Sequence, residues 1–232
     1  SAVATAGGWQ TRRRFRGEDG MRDLVQRHRD VIAPVIGYDT ELVVERASGL
    51  WVFDADGNRW ADFACGTAVT NLGHNHPAVV AAAHRQLDKL VHSGGVFRYD
   101  TLVEAAERLG EVPPAGDQKF GLPHSGAEAG GGAAEPARQP TGRAGVVVFQ
   151  GGFHGRTMGA VTYTTSSARY REGYQPLVGG VYVVPFPHPY RWGMSDDEAT
   201  APSPDRLPPL FRHEILPSEV AALLVEPVQG EG

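Results

Sequence analysis

The sequence predicts an α/β protein whose second half contains a parallel, doubly wound β-sheet. Two observations carry this prediction. Apolar runs rich in β-branched residues begin at Gly145, Val181 and Val220, and helical or irregular connections separate them. The runs read GVVVFQGG, VYVVPFP and VAALLVEPV. Parallel sheets of this kind bind ligands at the carboxyl ends of their strands, so we expect the functional site at that edge.

Length and composition exclude several classes of protein. The chain has 232 residues, of which 41% are hydrophobic and 21% charged, as in soluble globular proteins. Its net charge of -5 gives no general attraction to nucleic acid. No apolar run approaches the roughly 20 residues that span a bilayer, so we expect no membrane segment. The single cysteine, Cys65, cannot form an internal disulfide, which favours a reducing compartment and a cytoplasmic location.

The first half of the chain predicts helices around a small antiparallel sheet. Residues 1–20 lack apolar periodicity, and we expect them to form a poorly ordered arm. A short helix is predicted over Met21–Ile32. The apolar runs Leu42–Val44 and Leu50–Phe53, with turn residues after each, indicate a meander of three short strands. A linking helix follows from about Pro77 to His92.

A larger α/β domain is predicted over residues 93–232, after a first segment that spans residues 21–92. A helix over Asp100–Leu109 opens the larger domain, and QKFGLPH is predicted as a short strand that leads into the next helix. We interpret residues 185–212, which are rich in proline, mainly as a long surface loop.

The stretch HSGAEAGGGAAEPAR begins as a helix but contains residues that oppose one. Each of Gly130–Gly132 costs roughly 1 kcal/mol in a helix interior, and Pro136 costs about 3 kcal/mol. Pro136 also lacks the N–H of the helical hydrogen bond. Positions 134 and 136 lack the expected apolar side chains. We therefore expect a helix that frays or stops by about Glu135 and buries little against the sheet.

Ser125 and Glu128 match a capping box, in which a serine is followed three residues later by a glutamate. Such a helix start brings together free backbone N–H groups, a hydroxyl and the positive end of the helix dipole, which suits a phosphate. The same pattern occurs often as a plain helix cap, and taken alone it favours the plain cap.

A glycine-rich loop, GGFHGRTMGA, follows the first predicted buried strand. Its glycines permit a tight turn and a close approach of the backbone. An aromatic ring at Phe153 or His154 can stack on a flat cofactor, and Arg156 can bind a carboxylate through two hydrogen bonds. A packed phenylalanine beside a solvated histidine and arginine explains the loop equally well.

Two glutamates follow the third predicted strand, in the stretch LLVEPVQGEG. Glu226 lies at the end of the strand and Glu231 lies five residues later in a loop. A carboxylate at this edge is costly unless it is paired or used. Arg156 is a natural partner for either glutamate, and a surface salt bridge of small worth is the alternative.

No metal site is expected. His74 and His76 are followed by a proline in a turn, and no cysteine or carboxylate completes a ligand set. The sequence also lacks a nucleophile elbow, a Walker loop and a G-x-G-x-x-G motif after a strand.

Together, these motifs resemble those of the class III (ω-amino acid) aminotransferases, most nearly the 4-aminobutyrate and acetylornithine aminotransferases. The resemblance runs from about Tyr38 to Gly232 and holds in order and spacing. It rests on GLWVFDADGNRWADFACGTAVTNLGHNHPAVVAA, HSGAEA, GGFHGRTMGA and VEPVQGEG.

The resemblance implies a cofactor and a fold. Enzymes of this family use pyridoxal phosphate and have the fold-type I architecture. The chain would then comprise an N-terminal small-domain segment and part of the parallel-sheet large domain. Family members are dimers with the active site at the subunit interface, which implies a homodimer here.

The resemblance also implies residues that hold the cofactor. Ser125, Gly126 and Ala127 match the positions that bind the cofactor phosphate. Phe153 matches the aromatic residue that stacks on the pyridine ring, and His154 lies beside it.

Other matched positions border the substrate. Arg156 matches an arginine that helps bind the substrate carboxylate in 4-aminobutyrate-type enzymes. Glu226 matches a glutamate near the substrate and the ring, and Glu231 a second glutamate that contacts arginines. Gly66 and Thr67 lie in the N-terminal segment that borders the substrate pocket.

The resemblance does not include the lysine that binds the cofactor. The family places that lysine after the VEPVQGEG motif, and neither Lys89 nor Lys119 matches its position. A transaminase needs this amine. We expect the complete enzyme to move an ω-amino group to a 2-oxo acid such as 2-oxoglutarate, and this chain alone to be inactive. The alternatives are a non-catalytic truncated relative with a binding or interaction role, and an unrelated sugar- or nucleotide-binding α/β domain.

Overall fold

The computed structural model describes residues 24–34, 37–112, 119–200 and 208–231. The chain divides into two compact units, one that ends at Tyr99 and one that begins at Asp100. The predicted arm over residues 1–20 lies outside the described residues. No helix in the described ranges is long and apolar enough to cross a membrane.

The first unit contains the predicted antiparallel meander. Its three strands pair in the order β1-β2-β3, and both pairs are antiparallel. The strand bounds are Val44–Ser48 for β1, Trp51–Asp54 for β2 and Arg59–Ala61 for β3. The prediction of three short strands is confirmed, although β1 begins at the last residue of the apolar run that suggested it.

The described residues of the first unit also form three helices. They are α1 over Leu24–Val31, a single turn α2 over Cys65–Ala68 and α3 over Pro77–Lys89. The predicted linking helix is confirmed but ends three residues early, because Leu90 has an extended backbone. None of the residues of α3 is buried, and Leu87 is 58% exposed.

The second unit begins with α4, over Asp100–Gly110, and is built on a parallel sheet. Its strands are β4 over Gly145–Phe149, β5 over Val181–Val184 and β6 over Val220–Leu224, in the order β5-β4-β6. Both neighbouring pairs are parallel, as predicted. The central strand supplies the core, because Val146, Val147 and Val148 are at most 1% exposed.

Alternate residues of β4 face two different packed layers. Val147 packs with Val184, Leu210, Ile215 and Val220. Val146 and Val148 pack on the other face with Ala134 and Tyr163. A strand covered on both faces reads as a continuous apolar run, which is why GVVVF was recognisable.

The prediction of a helix that stops by about Glu135 is wrong. Helix α5 extends over Gly126–Thr141 and includes the three glycines, Pro136 and Pro140. It ends at Gly142, which has a left-handed backbone with a φ of 65° and donates its N–H to Arg138. Tertiary packing outweighs the poor local propensity, because Ala134 is only 6% exposed against the sheet.

Two further expectations for the second unit require correction. Residues 119–124, the described part of QKFGLPH, form no regular strand. The stretch 185–212 is not simply a loop, because short helices interrupt it. These are α7 over Pro189–Trp192, α8 over Asp196–Thr200 and α9 over Pro208–His213. A further short helix, α6 over Met158–Tyr163, precedes this stretch.

Candidate functional site

The carboxyl ends of the three parallel strands meet at one edge of the second unit. The loop after β4 and the loop after β6 both lie at this edge. They carry the predicted residues Phe153, His154 and Arg156, and Glu226 and Glu231, respectively. The start of α5 approaches the first of these loops, so the three sequence motifs of this unit come together.

Gly155 makes the approach between the loop and α5 possible. Its φ is +120°, and a Cβ atom at this position would lie 2.6 Å from the Cβ and 2.9 Å from the Cα of Ala127. Those separations are below any real Cβ contact, so a side chain would force the loop and the helix apart. The glycine requirement suggested by the sequence therefore has a steric cause at this position.

Ser125 is the N-cap of α5, and its Oγ accepts a hydrogen bond from the Glu128 N–H at 3.2 Å. The reciprocal half of the predicted capping box is shifted by one residue. The carboxylate of Glu128 accepts from the His124 N–H at 2.8 Å instead of from Ser125. The N–H groups of Gly126 and Ala127 have no acceptor within the helix.

A second Ser-x-x-Glu pattern in the chain shows the contrast. At the start of α8, Ser195 Oγ accepts from the Glu198 N–H at 3.3 Å, and Glu198 accepts from the Ser195 N–H at 2.9 Å. The bond from the Ser195 N–H, together with a second bond that the Ser195 hydroxyl donates to the carboxylate at 2.8 Å, holds the pKa of Glu198 below its ordinary value. At α8, the Glu198 carboxylate therefore binds the N–H of its own N-cap residue. At α5, the Glu128 carboxylate binds the N–H of the residue before the N-cap residue.

Glu226 joins the two loops of the edge. One carboxylate oxygen accepts from the Phe153 N–H, and the other accepts from the Gly230 N–H at 3.2 Å. Charge-assisted hydrogen bonds of this kind are stronger than neutral ones. The expected ion pair with Arg156 is not formed, because these backbone groups bind the carboxylate instead.

His154 is half-buried next to Glu226. Its backbone N–H donates to Thr164 Oγ1 at 2.9 Å. Burial lowers the pKa of His154 below its ordinary value, and the nearby charge of Glu226 opposes this shift only in part. The imidazole is therefore neutral at pH 7.

Arg156 and Glu231 are linked through a residue that the sequence analysis missed. The guanidinium of Arg156 lies 4.7 Å from the ring centre of Tyr170, and the Tyr170 hydroxyl donates to Glu231 at 3.2 Å. Tyr170 also meets Phe153 edge-on, with ring centres 5.1 Å apart. The expected Arg156–Glu231 ion pair is replaced by this aromatic bridge.

Two threonines at the edge were also missed. Thr164 is fully buried and its hydroxyl lies 3.0 Å from the Gly155 carbonyl oxygen. Thr165 Oγ1 donates to the Phe149 carbonyl at 2.8 Å and accepts from the Gly152 N–H at 3.2 Å. The polar run TTSS directly after α6 was the available indication, because hydroxyls there can satisfy the backbone of a glycine-rich loop.

A cavity of about 320 Å³ opens between the loops that follow β4, β5 and β6. Its lining includes Gln150, Ser166, Arg191 and Glu231. The hydroxyl of Ser166 is shielded from solvent and has no hydrogen-bond partner among the described residues. The cavity thus offers a cation, a carboxylate and a free hydroxyl to a small polar ligand.

Gly66 and Thr67 lie in the first unit, on the turn α2. Both have left-handed backbones, with φ values of 57° and 59°. The flanking residues of the turn, Cys65 and Ala68, also have positive φ values. A left-handed backbone costs an ordinary L-residue roughly 1–2 kcal/mol, so this turn is strained at three of its four positions.

The two histidines that were set aside as metal ligands have other surroundings. His74 Nε2 lies 2.7 Å from Asp62 Oδ2, and His76 precedes the first residue of α3. The described ranges contain no cluster of three or more histidine, cysteine, aspartate or glutamate side chains that could hold a metal ion.

Comparison with solved structures defines the class. The chain matches an (S)-enantioselective omega-transaminase from Thermomicrobium roseum, with a TM-score of 0.79 and 28% identity over 90% of this chain and 50% of that one. It also matches a taurine:2-oxoglutarate aminotransferase from Bifidobacterium kashiwanohense, solved with pyridoxal phosphate and glutamate, with a TM-score of 0.76 and 25% identity. That match covers 88% of this chain and 47% of the other. The fold is that of a fold-type I pyridoxal-phosphate-dependent transferase.

Sequence comparison narrows the class to a family. The chain is 38% identical to a 5-aminovalerate aminotransferase, DavT, of Pseudomonas aeruginosa, and 36% identical to the 4-aminobutyrate aminotransferase GabT of Escherichia coli. These matches cover 90% and 91% of this chain but 48% and 49% of the relatives, so the chain spans about half their length. The family model for class III aminotransferases matches residues 34–232. The chain belongs to the class III aminotransferase family.

Proposed function

We propose that the complete protein is an aminotransferase that moves an ω-amino group from a donor such as 4-aminobutyrate or acetylornithine to a 2-oxo acid such as 2-oxoglutarate. Pyridoxal phosphate is the proposed cofactor. The observation that carries this proposal is the meeting of the α5 start, the Gly151–Arg156 loop and the Glu226–Glu231 loop at one sheet edge. Membership of the class III family supports the reaction class.

The phosphate of the cofactor would bind at the start of α5. The N–H groups of Gly126 and Ala127 and the hydroxyl of Ser125 are the proposed ligands, with the dipole of a helix of 16 residues behind them. The shifted carboxylate of Glu128 supports this assignment, because it leaves the cap N–H of Ser125 to another acceptor. A carboxylate in the α8 arrangement would instead compete with a phosphate.

The ring and the substrate would bind along the loop after β4. Phe153 would stack on the pyridine ring, and the neutral His154 would lie beside it without adding a positive charge. Arg156 would bind the substrate carboxylate, held in place by the face of Tyr170. Glu226 fixes the backbone of this loop, and Glu231 would set the polarity of the adjacent cavity.

The chemistry divides between the cofactor and the protein. When bound, pyridoxal phosphate supplies an electron sink for the carbon that loses its proton. The residues of this chain bind the phosphate, orient the ring and select a carboxylate-bearing substrate. We further propose a homodimer, because exposed apolar side chains such as Leu87 in the first unit need a covering surface.

This chain alone is proposed to bind the cofactor without turning over substrate. Lys89 is the last residue of α3 in the first unit, and Lys119 precedes Gly126, the first residue of α5, by seven positions. Neither lysine lies in one of the three converging segments. A non-catalytic binding role for the chain is the alternative, and both readings share the same cofactor site.

Equilibrium dialysis of the 232-residue chain against pyridoxal phosphate tests the site. We expect Ser125→Ala to weaken binding about tenfold, because one hydrogen bond to a charged group is lost. Ser195→Ala is the matched control, since it removes the same type of cap from α8, and it should leave binding unchanged. Equal losses in both variants would contradict the phosphate site.

Borohydride reduction distinguishes a chain that only binds the cofactor from one that forms a covalent bond to it through a lysine. In the full chain mixed with pyridoxal phosphate, we expect no adduct at a single lysine when peptides are examined by mass spectrometry. Absorbance in the range of roughly 410–430 nm that disappears on reduction, with one modified lysine, would overturn the proposed inactivity.

A further inference from the structure

The turn α2 of the first unit is unusual because four consecutive residues have a left-handed backbone. The φ values are 50° at Cys65, 57° at Gly66, 59° at Thr67 and 63° at Ala68. Only Gly66 adopts this conformation without a steric cost. Such a run persists only where the surrounding structure imposes it.

Asp62 holds the entry to this turn. Its Oδ1 accepts hydrogen bonds from the N–H of Ala64 at 2.9 Å and from the N–H of Cys65 at 3.0 Å. Ala64 still has a right-handed backbone, so the two bonds lie across the point where the handedness changes. Without a fixed carboxylate at this point, the strained residues can relax to ordinary conformations.

His74 holds the carboxylate. Its Nε2 donates to Asp62 Oδ2 at 2.7 Å, and both side chains are largely shielded from solvent, with exposures of 21% and 16%. The hydrogen bond with His74 is the main cause of the lowered pKa of Asp62, followed by the bond from the Cys65 N–H. The carboxylate is therefore charged wherever the fold persists near neutral pH.

His74 is itself fixed to the meander. Its N–H donates to the Gly49 carbonyl at 2.8 Å, and its carbonyl accepts from the Gly49 N–H at 2.9 Å. The backbones approach so closely that a Cβ on Gly73 would lie 3.1 Å from the Cα of Gly49. The side chain of Asn75 adds a hydrogen bond to the Ala47 carbonyl at 2.7 Å.

We infer that Asp62 and His74 are positioning residues that transmit the rigidity of the meander to the turn Cys65–Ala68. They hold the turn left-handed and thereby present Gly66 and Thr67 in one fixed arrangement. The significance of that arrangement for catalysis rests on the proposed function, because the resemblance to the family implies that Gly66 and Thr67 border the substrate pocket of such an enzyme. The holding role itself rests on the hydrogen bonds alone.

The single cysteine of the chain provides a direct readout. Cys65 is partly buried and begins the turn, so its rate of reaction with a disulfide reagent such as dithionitrobenzoate reports how often the turn opens. In the full chain at pH 7, we expect His74→Ala to raise this rate about tenfold, because a charge-assisted hydrogen bond is lost. The charge of Asp62 remains in this variant, so altered charge beside the thiol does not explain the change.

Two further variants complete the experiment. His74→Gln keeps a donor near the position of Nε2, and we expect it to restore the wild-type rate. His76→Ala, two residues away on an exposed side chain, should leave the rate unchanged. If His74→Ala does not melt cooperatively by circular dichroism, His74→Phe replaces it, because phenylalanine keeps the ring and lacks the donor.

The outcomes are decisive for the positioning role. Equal rates in the wild type and in the folded variant without the donor would overturn it, as would an equal increase in His74→Gln. The assay requires neither cofactor nor substrate. A chain that fails to bind pyridoxal phosphate but shows the expected rates therefore contradicts the proposed function alone, and the reverse pattern contradicts the positioning role alone.

Discussion

The sequence of α3 favours a helix but none of its residues is buried, whereas the sequence of α5 opposes a helix and yet one of its residues is buried. Helix α3 reads PAVVAAAHRQLDK, contains good helix formers after its first proline, and buries none of its residues. Helix α5 contains three consecutive glycines and two internal prolines, yet it runs for 16 residues and buries Ala134 against the sheet. Local propensity supports the first helix, whereas packing within its own unit maintains the second.

The largest expected effect comes from a charge at the one buried position of α5. Ala134→Asp places a carboxylate among the side chains of Val146, Val148 and Tyr163, so the charge loses its hydration. We expect the free energy of unfolding to fall by about 3 kcal/mol or more in urea titrations. Ala82→Asp on exposed α3 is the control and should cost less than about 1 kcal/mol. Similar losses would mean that α5 is not held by packing.

A methyl group at Gly155 should have the next largest effect. Gly155→Ala brings a Cβ against Ala127 at a residue with a φ of +120°, and we expect a loss of about 2 kcal/mol in unfolding free energy. Binding of pyridoxal phosphate should weaken as well, because the start of α5 is displaced. Gly159→Ala, with open space around its Cβ, should lower neither property.

Removal of the first internal proline should stabilise α5. Pro136→Ala restores a donor to the helical ladder, and we expect the free energy of unfolding to rise by about 1–2 kcal/mol. Pro77→Ala in α3 is the matched control. A proline at the first position of a helix interrupts no hydrogen bond, so no gain is expected there. A loss in Pro136→Ala would show that the proline fits a required bend.

One glycine within α5 and the glycine that caps its C-terminus should respond in opposite directions. Gly132→Ala has open space around its Cβ and should raise the free energy of unfolding by up to about 1 kcal/mol. Gly142→Ala also meets no atom, but its φ of +65° penalises a side chain, so a loss of about 1 kcal/mol is expected. Thermal or urea unfolding of both variants checks whether the space around the Cβ or the backbone conformation determines the change in unfolding free energy.

The smallest expected effect concerns pH. Burial lowers the pKa of His154, so the unfolded chain takes up a proton at this residue before the folded chain does. Stability should therefore fall as the pH decreases below the ordinary histidine value of about 6.5. The fall ends once the folded form also binds the proton. His154→Gln should show a smaller decrease than the wild type when urea unfolding is compared across this pH range.

Much of the fold followed from patterns that single segments display. The run GVVVF predicted a buried parallel strand because both faces of β4 are covered, and the meander was readable from its turn residues. The site motifs were found through the combination of three segments in the right order. Their contacts were predicted less well, because Tyr170 and Thr164 lie outside any motif and join the site only through folding.

The amino-acid sequence by itself determined the family, the parallel sheet and the edge at which the motifs meet, because β-branched runs, glycine loops and their spacing are local properties. Only the tertiary structure decided the length of α5, the partners of Arg156 and Glu226, and the left-handed form of Cys65–Ala68. Each of these depends on groups distant along the chain: the sheet that covers Ala134, the ring of Tyr170, and the histidine that holds Asp62. Packing and long-range hydrogen bonds outweigh local preferences of about 1–3 kcal/mol, which explains why local patterns mispredicted these features.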